Sequence, residues 1–269
     1  MDFHLIVLSY FGYGTIFLVS LFGNSCLIHI IRTDTSMRTA INYFILYQAF
    51  ADLLISFTHL METVRLNSYH GLWFGGNMGN ITCKLYLASF YVFSAFSIYL
   101  LVTIAVDRFY AVFRPLENTP ISRNMKRVIL ILWSCSFISS TAVVINGHLE
   151  SSENSYFCHS MKLQNFNKVT ELNVTSLTVG VVIPLTLLAV LYTRICIKLW
   201  SRQAPGEGAS NNQRQLRVIA IARKVTRMMI AVFVSFLICW VPYYITMALF
   251  YLGFVQYKIR EHGTSANIE

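Results

Sequence analysis

Six long apolar stretches dominate the sequence and restrict what it can fold into. They cover about residues 5–31, 40–65, 80–112, 126–147, 172–200 and 218–254. A bilayer core about 30 Å thick needs about 20 mostly apolar residues in a helix, and each stretch meets that length. Apolar side chains cover the whole circumference of each predicted helix rather than one stripe, which is typical of membrane spans and not of soluble core helices. We therefore predict an all-α membrane protein built as a transmembrane helix bundle.

The basic residues predict how the spans are oriented. With the N-terminus placed outside the cell, fifteen of the 21 Lys and Arg residues fall on the cytoplasmic side and six on the other. Cytoplasmic segments carry an excess of Lys and Arg, so we expect a multi-pass plasma-membrane protein with an extracellular N-terminus. The net charge is +9, but the Lys and Arg residues lie mainly between the apolar runs and not along one helix face. No nucleic-acid partner is therefore expected. The first stretch lacks a basic start and a cleavage pattern, and we interpret it as a retained span.

Ionisable residues lie at two places within the spans. Asp52 is midway along the second span, and the pair Asp107-Arg108 is near the end of the third. A charge at the centre of a spanning helix costs about 2.5–3.5 kcal/mol on insertion scales. A buried carboxylate such as Asp52 usually marks an ion or proton site, although a structural contact with a neighbouring helix is the alternative. For Asp107-Arg108 the alternative is an interfacial pair that reaches water.

A series of different short motifs occurs in order across the six spans and the first outer loop. They are Gly23-Asn24, Leu46 with Ala51-Asp52, Trp73-Phe74-Gly75, Cys83, Asp107-Arg108-Phe109 with Arg114-Pro115-Leu116, Trp133, Pro184 with Tyr192, and Phe236 with Cys239-Trp240-Val241-Pro242. Each motif alone is weak, but their spacing is consistent: Cys83 and Arg108 are 25 residues apart, and Pro184 and Tyr192 are 8 apart. In these motifs the chain resembles the rhodopsin-like, or class A, G-protein-coupled receptors.

The resemblance implies roles for individual residues. Cys83 and Cys158 are expected to form a disulfide, and Asp52, Ser97 and Asn24 are expected to hold an allosteric sodium ion; no other cofactor is implied. Arg108 is the implied switch, paired with Asp107 when inactive and supported by Tyr192 when a heterotrimeric G protein is bound. The remaining activation residues are the connector set and the kink of span six, namely Ile98, Pro184, Phe236, Trp240 and Pro242.

The sequence says less about the ligand than about the fold. Phe90 stands 18 residues before Arg108, where amine receptors of the family carry Asp, so an extracellular peptide is favoured over an amine. Glu62 near the end of span two could meet a charged peptide terminus, or it could be merely interfacial. The candidate ligand-binding residues are therefore Glu62, Phe90, Tyr91, Ser94, Trp240, Tyr243, Tyr244 and Met247. The Trp73-Phe74-Gly75 pattern, the acidic outer loop and the overall family resemblance favour a neuropeptide-type ligand.

The pattern stops short of the family's seventh span. No Asn-Pro-x-x-Tyr signature is present, and residues 255–269 form a polar tail that is too short to cross a membrane. The resemblance therefore predicts a rhodopsin-like bundle, residues 1–254, with six of the seven helices. The first hypothesis is a receptor that activates a G protein. The alternative is a truncated six-span form that does not signal and binds full-length receptors. An enzyme is not expected, because no nucleophile–base set or metal-ligand spacing is apparent.

Overall fold

The computed structural model of the chain describes residues 3–37, 39–114, 119–152, 155–159, 178–201, 219–227, 230–234 and 237–238. Its helices are α1 (Phe3–Thr33), α2 (Ala40–Ser68), α3 (Gly76–Phe113), α4 (Pro120–Arg123), α5 (Met125–Asn146) and α6 (Ile183–Trp200). A 3-10 turn, Thr35–Met37, follows α1, and a π-helical turn, Thr178–Val182, leads directly into α6. The strands are β1 (Leu72–Trp73), β2 (His148–Ser152) and β3 (Ser155–His159).

Five helical segments in the described part of the chain are long and apolar enough to cross a membrane. They are Ile6–Thr33, Ala40–Ser68, Gly76–Phe113, Met125–Asn146 and Thr178–Trp200. Helices suit this environment because every backbone polar group is bonded within its own segment, where no water can replace the bond. Helices therefore occupy the first four predicted spans and residues 178–200 of the fifth, whereas 172–177 lie outside the described residues. Of the sixth, 219–227, 230–234 and 237–238 are helical, whereas its remainder and the tail 255–269 lie outside the described residues.

Helix α3 forms the core of the bundle. It packs against α2 on one side and α5 on another, while α1 packs against α2. More than half of the most apolar window of α3 is buried inside the protein, but almost none of the α1 window is. The side chains of Phe96, Ile98 and Leu100 are almost completely buried. Among the described residues, α1 is thus mostly exposed, and much of α3 faces other helices.

Aromatic packing fixes α3 against α5. The ring of Trp133 on α5 stacks on the buried ring of Phe96, with centroids 4.1 Å apart. Phe93 meets the same indole edge-on at 6.3 Å. Aromatic pairs in these geometries contribute about 0.5–1.5 kcal/mol beyond the area they bury. Trp133, one of the motif residues, therefore holds two helices together at the level of Phe93 and Phe96.

A small antiparallel sheet lies at one end of the bundle, in the strand order β1-β3-β2. Leu149 on β2 pairs with Cys158 on β3, and Trp73 on β1 pairs with Tyr156 on the other side of β3. The sheet thus joins the α2–α3 connection to the hairpin that follows α5. Gly79, in the first turns of α3, is required here, because a Cβ at this position would lie 1.9 Å from the carbonyl oxygen of Phe74.

The chain divides into two compact units, residues 1–191 and 192–269. In the second unit, the guanidinium of Arg223 donates two hydrogen bonds to the carbonyl oxygen of Leu199, at 3.1 and 2.8 Å. Arg223 and Arg227 each lie 5.8 Å from the ring of Trp200. These contacts satisfy a carbonyl at the C-terminal end of α6, where helix carbonyls have no partner within the helix.

Candidate functional site

A polar cluster surrounds Asp52 in the middle of the first unit. The side-chain amide nitrogen of Gln48, one helical turn earlier on α2, donates to Asp52 Oδ1 at 2.9 Å. The same nitrogen hydrogen-bonds to the hydroxyl oxygen of Ser97 on α3. The Ser97 hydroxyl in turn donates to Asp52 Oδ1 at 3.3 Å. Asp52 and Ser97, both predicted site residues, are therefore brought together, and Gln48 lies between them.

The third residue of the predicted sodium site, Asn24, is engaged elsewhere. Its side-chain amide donates to the carbonyl and hydroxyl oxygens of Ser20, both at 3.0 Å. Ser20 in turn donates to the backbone carbonyl oxygen of Asp52 at 3.4 Å, so Ser20 links Asn24 to the α2 backbone. Sodium is a hard cation and requires oxygen ligands. Because N–H groups of Gln48 point at Asp52 and Ser97, this arrangement does not fit a sodium ion.

Asp107 and Arg108 form a salt bridge at the far end of α3. Arg108 Nη2 lies 2.8 Å from Asp107 Oδ2, and the Asp107 side chain is 4% exposed. The other carboxylate oxygen, Oδ1, accepts a hydrogen bond from the hydroxyl of Thr119 at 2.6 Å. Charge-assisted hydrogen bonds of this kind are about twice as strong as neutral ones. The carboxylate is thus held by a cation on its own helix and by a hydroxyl just before α4.

The carboxylate of Glu62 is enclosed by donors near the sheet. Arg65 donates to both of its oxygens, at 2.7 and 2.8 Å, in a bidentate pair. Tyr86 on α3 donates its hydroxyl to Glu62 Oε2 at 2.8 Å. Arg65 also donates to the carbonyl oxygen of Gly71 at 2.7 Å and lies over the Trp73 ring. Glu62 therefore ties α2 to α3, and its use as a partner for a charged ligand stays a prediction.

An aromatic cluster lies one to two turns further into the bundle. Phe90 meets the imidazole of His59 edge-on at 4.8 Å and the ring of Tyr91 at 5.3 Å. His59 also stacks against Tyr13 of α1 at 5.8 Å. The Ser94 hydroxyl is bonded to the carbonyl oxygen of Phe90 on its own helix at 2.8 Å. Rings from α1, α2 and α3 thus meet where the sequence predicts the ligand.

The predicted disulfide is confirmed. Cys83 on α3 is bonded to Cys158 on β3, and their Cα atoms are 5.6 Å apart. Both residues are buried, with Cys83 completely inaccessible. The bond attaches the hairpin of β2 and β3 to the first third of α3.

The structure places the other predicted activation residues only in part. Ile98 and Pro184 are buried in the first unit, and Tyr192 is buried in the second, where its ring lies 5.9 Å from that of Phe233. Their switching roles stay predictions. Six predicted ligand-binding or switch residues lie outside the described part of the chain, namely Phe236, Trp240, Pro242, Tyr243, Tyr244 and Met247.

Sequence reasoning missed three residues of these clusters: Gln48, Tyr86 and Thr119. Gln48 carried a usable signal, because a polar side chain four residues before Asp52 lies on the same face of the helix. Tyr86 and Thr119 carried none. Their partners are on a different helix or lie 12 residues away across a connection, and spacing alone does not reveal such pairs.

Several apolar spanning helices, a polar cluster within them and a disulfide-attached hairpin define a multi-pass helical membrane protein. Residues 23–267 match the family model of the 7 transmembrane receptor (rhodopsin family). The chain belongs to this family.

Curated relatives agree with this assignment. The chain is 32% identical over 247 residues to the substance-P receptor of Aquarana catesbeiana, covering 88% of this chain and 57% of that one. It is 28% identical over 240 residues to the neuromedin-K receptor of Mus musculus, covering 88% and 51%. For the substance-P receptor of Homo sapiens the identity is 29% over 260 residues, covering 92% and 60%. The chain thus spans half to three fifths of the length of these relatives.

Proposed function

We propose that the protein is a receptor for an extracellular peptide and that it activates a heterotrimeric G protein. Membership of the rhodopsin family supports a receptor. The relatives named above are receptors for substance P and neuromedin K, which supports a ligand of the same chemical class, a peptide. The proposal includes a plasma-membrane location with the N-terminus outside the cell, supported by the distribution of basic residues.

The aromatic cluster at Phe90 is the observation that carries the peptide assignment. The amine receptors of the family that this chain resembles carry an Asp at this position as the counter-ion of the ammonium ligand. Phe90 provides an aromatic ring, and the nearby Glu62 carboxylate already accepts three hydrogen bonds from Arg65 and Tyr86. Removing Glu62 from these donors would cost about 1.5–3 kcal/mol for each charged hydrogen bond lost. Aromatic rings suit the apolar and aromatic side chains of a peptide.

The proposed signalling role rests on the pair of Asp107 and Arg108. In this structure the guanidinium is paired with the adjacent carboxylate, which is the arrangement the family resemblance implies for the inactive receptor. Release of Arg108 from Asp107 would free a planar, permanently charged group that suits a protein partner. Thr119 donates to the other oxygen of the same carboxylate and so helps to fix its position.

A cell-based screen tests this function. Cells expressing the chain with an N-terminal epitope are stained without permeabilisation and then exposed to peptide and amine panels while G-protein activation is recorded. We expect surface staining and activation by a peptide. In the Phe90→Ala variant the peptide should lose at least about tenfold in potency, as expected for one lost aromatic anchor. Phe137→Ala, an exposed phenylalanine on α5, is the matched control and should respond as the parent does.

The same screen can overturn the proposal. Activation by an amine and by no peptide would contradict the ligand class. A chain that stays inside the cell, gives no G-protein signal and co-purifies with longer receptors would contradict the receptor function itself.

A further inference from the structure

We infer that the side-chain amide of Gln48 takes the place of a cation in the cluster around Asp52, so that this protein does not use sodium there. The stabilisation of this cluster is independent of the proposed ligand and of signalling. The chain carries an amide between the two residues expected to hold the ion. Gln48 was not among the expected ligands.

The three side chains form a closed hydrogen-bonded ring. Gln48 donates to Asp52 and to Ser97, and Ser97 donates to Asp52. The direction of each bond follows from chemistry, because an ionised carboxylate can only accept and a serine hydroxyl can donate once. With its proton directed at Asp52, the Ser97 oxygen is available as an acceptor for the amide. Both N–H groups of the amide are therefore used, and both point toward oxygens that a cation would need.

An amide and a cation are alternatives at this position. The N–H protons carry partial positive charge and lie between Asp52 Oδ1 and Ser97 Oγ, where they offset the carboxylate charge as an ion would. A sodium ion placed there would face those protons and would have to displace them. The Asn24 amide nitrogen is bonded to Ser20 of its own helix rather than to Asp52 or Ser97. The amide of Gln48 thus lies at the position where the family resemblance implies a sodium ion.

One feature favours a rival arrangement. The amide oxygen of Gln48, Oε1, is buried and has no hydrogen-bond partner among the described residues. If the amide rotated by half a turn, Oε1 would join Asp52 and Ser97 as a third oxygen ligand for sodium. That rotation would break both hydrogen bonds from the amide nitrogen. The two arrangements predict opposite responses to sodium, so they can be separated.

Thermal unfolding of the purified full chain in detergent provides the first test. The melting temperature is measured in sodium chloride and in N-methyl-D-glucamine chloride at equal ionic strength. A site near saturation with sodium would raise the melting temperature by about 5–10 °C in the sodium buffer. We expect the two values to agree for the parent protein. A sodium-specific rise that Asp52→Asn abolishes would overturn the inference, since it would show that the ion binds at this carboxylate despite Gln48.

A charge swap provides the second test and separates hydrogen bonding from packing. Gln48→Glu keeps the size of the side chain but places a second carboxylate against Asp52, and should lower the melting temperature by about 3–10 °C. The double variant Gln48→Glu with Asp52→Asn again pairs one amide with one carboxylate and should recover most of the loss. Failure of the double variant to recover would overturn the inference. If Gln48→Glu does not fold, the sodium comparison on the parent protein still decides.

Discussion

Replacing Thr119 with valine removes one hydroxyl and leaves the shape of the side chain almost unchanged. In the parent protein this hydroxyl donates to Asp107 Oδ1 at 2.6 Å. Thr119 is 8% exposed, so water is poorly placed to substitute for the lost donor. The variant leaves the carboxylate with Arg108 as its charged partner. A hydrogen bond to a charged group contributes about 1.5–3 kcal/mol, and we expect a loss near 2 kcal/mol. For a chain of this size that loss lowers the melting temperature by about 4–8 °C.

Thr103→Val is the matched control. Thr103 is 7% exposed, but its hydroxyl donates at 2.8 Å to the carbonyl oxygen of Tyr99, one turn earlier on α3. That carbonyl is also bonded within the helix, so the control should lose only about 0.5–1 kcal/mol. Melting curves of the detergent-purified variants give the comparison. The cycle is completed by Thr119→Val in an Asp107→Asn background, where the loss should shrink because the acceptor is no longer charged.

Two outcomes would refute this reasoning. If Thr119→Val costs no more than Thr103→Val, the charged hydrogen bond contributes nothing beyond that of an ordinary buried hydroxyl. If the loss is the same with Asp107 and with Asn at that position, Thr119 acts through packing and not through the carboxylate.

Further variants test the packing and the other polar contacts. Cys158→Ala should lose about 2–4 kcal/mol of stability and the sensitivity to reductant, whereas Cys135→Ala, an exposed free cysteine, should melt as the parent does; equal melting temperatures would contradict a stabilising disulfide. Phe96→Ala should cost about 3–5 kcal/mol, because it removes a fully buried ring stacked on Trp133, and a loss under about 1 kcal/mol would show that the helices repack. Tyr86→Phe removes the hydroxyl that donates to the Glu62 carboxylate and should lower stability by about 1.5–3 kcal/mol in the same assay; an unchanged melting curve would argue against that bond.

The spanning helices could be predicted from sequence because the bilayer imposes a length and an apolar composition on each one. Their ends could not be predicted as well. Helix α3 begins at Gly76 rather than near residue 80, and α2 continues to Ser68 rather than ending near 65. The added turns are polar or glycine-rich, so an apolar criterion does not include them. They are nonetheless held by specific contacts, such as the bond from the Trp73 indole to the carbonyl oxygen of Gly79.

The contacts within the functional clusters could be predicted only where both residues of a contact belong to the family's known motifs. The disulfide between Cys83 and Cys158 could be predicted because the family resemblance implies it. Asp52 and Ser97 were also expected together, but the amide of Gln48 between them was not, because a motif records which residues recur and not which hydrogen-bond donors fill the remaining space. Thr119 illustrates the same limit, since its partner Asp107 becomes a neighbour only after the chain has turned beyond α3.

The disulfide has a topological consequence. Cys83 and Cys158 are 75 positions apart, so their bond closes a covalent ring that contains most of α3 and the whole of α5. The rest of the chain forms two arms, one carrying α1 and α2 and the other carrying α6. A single backbone cut between residues 84 and 157 opens the ring but releases neither arm. A chain nicked there would migrate as one species on a non-reducing gel, and two fragments would separate only after reduction.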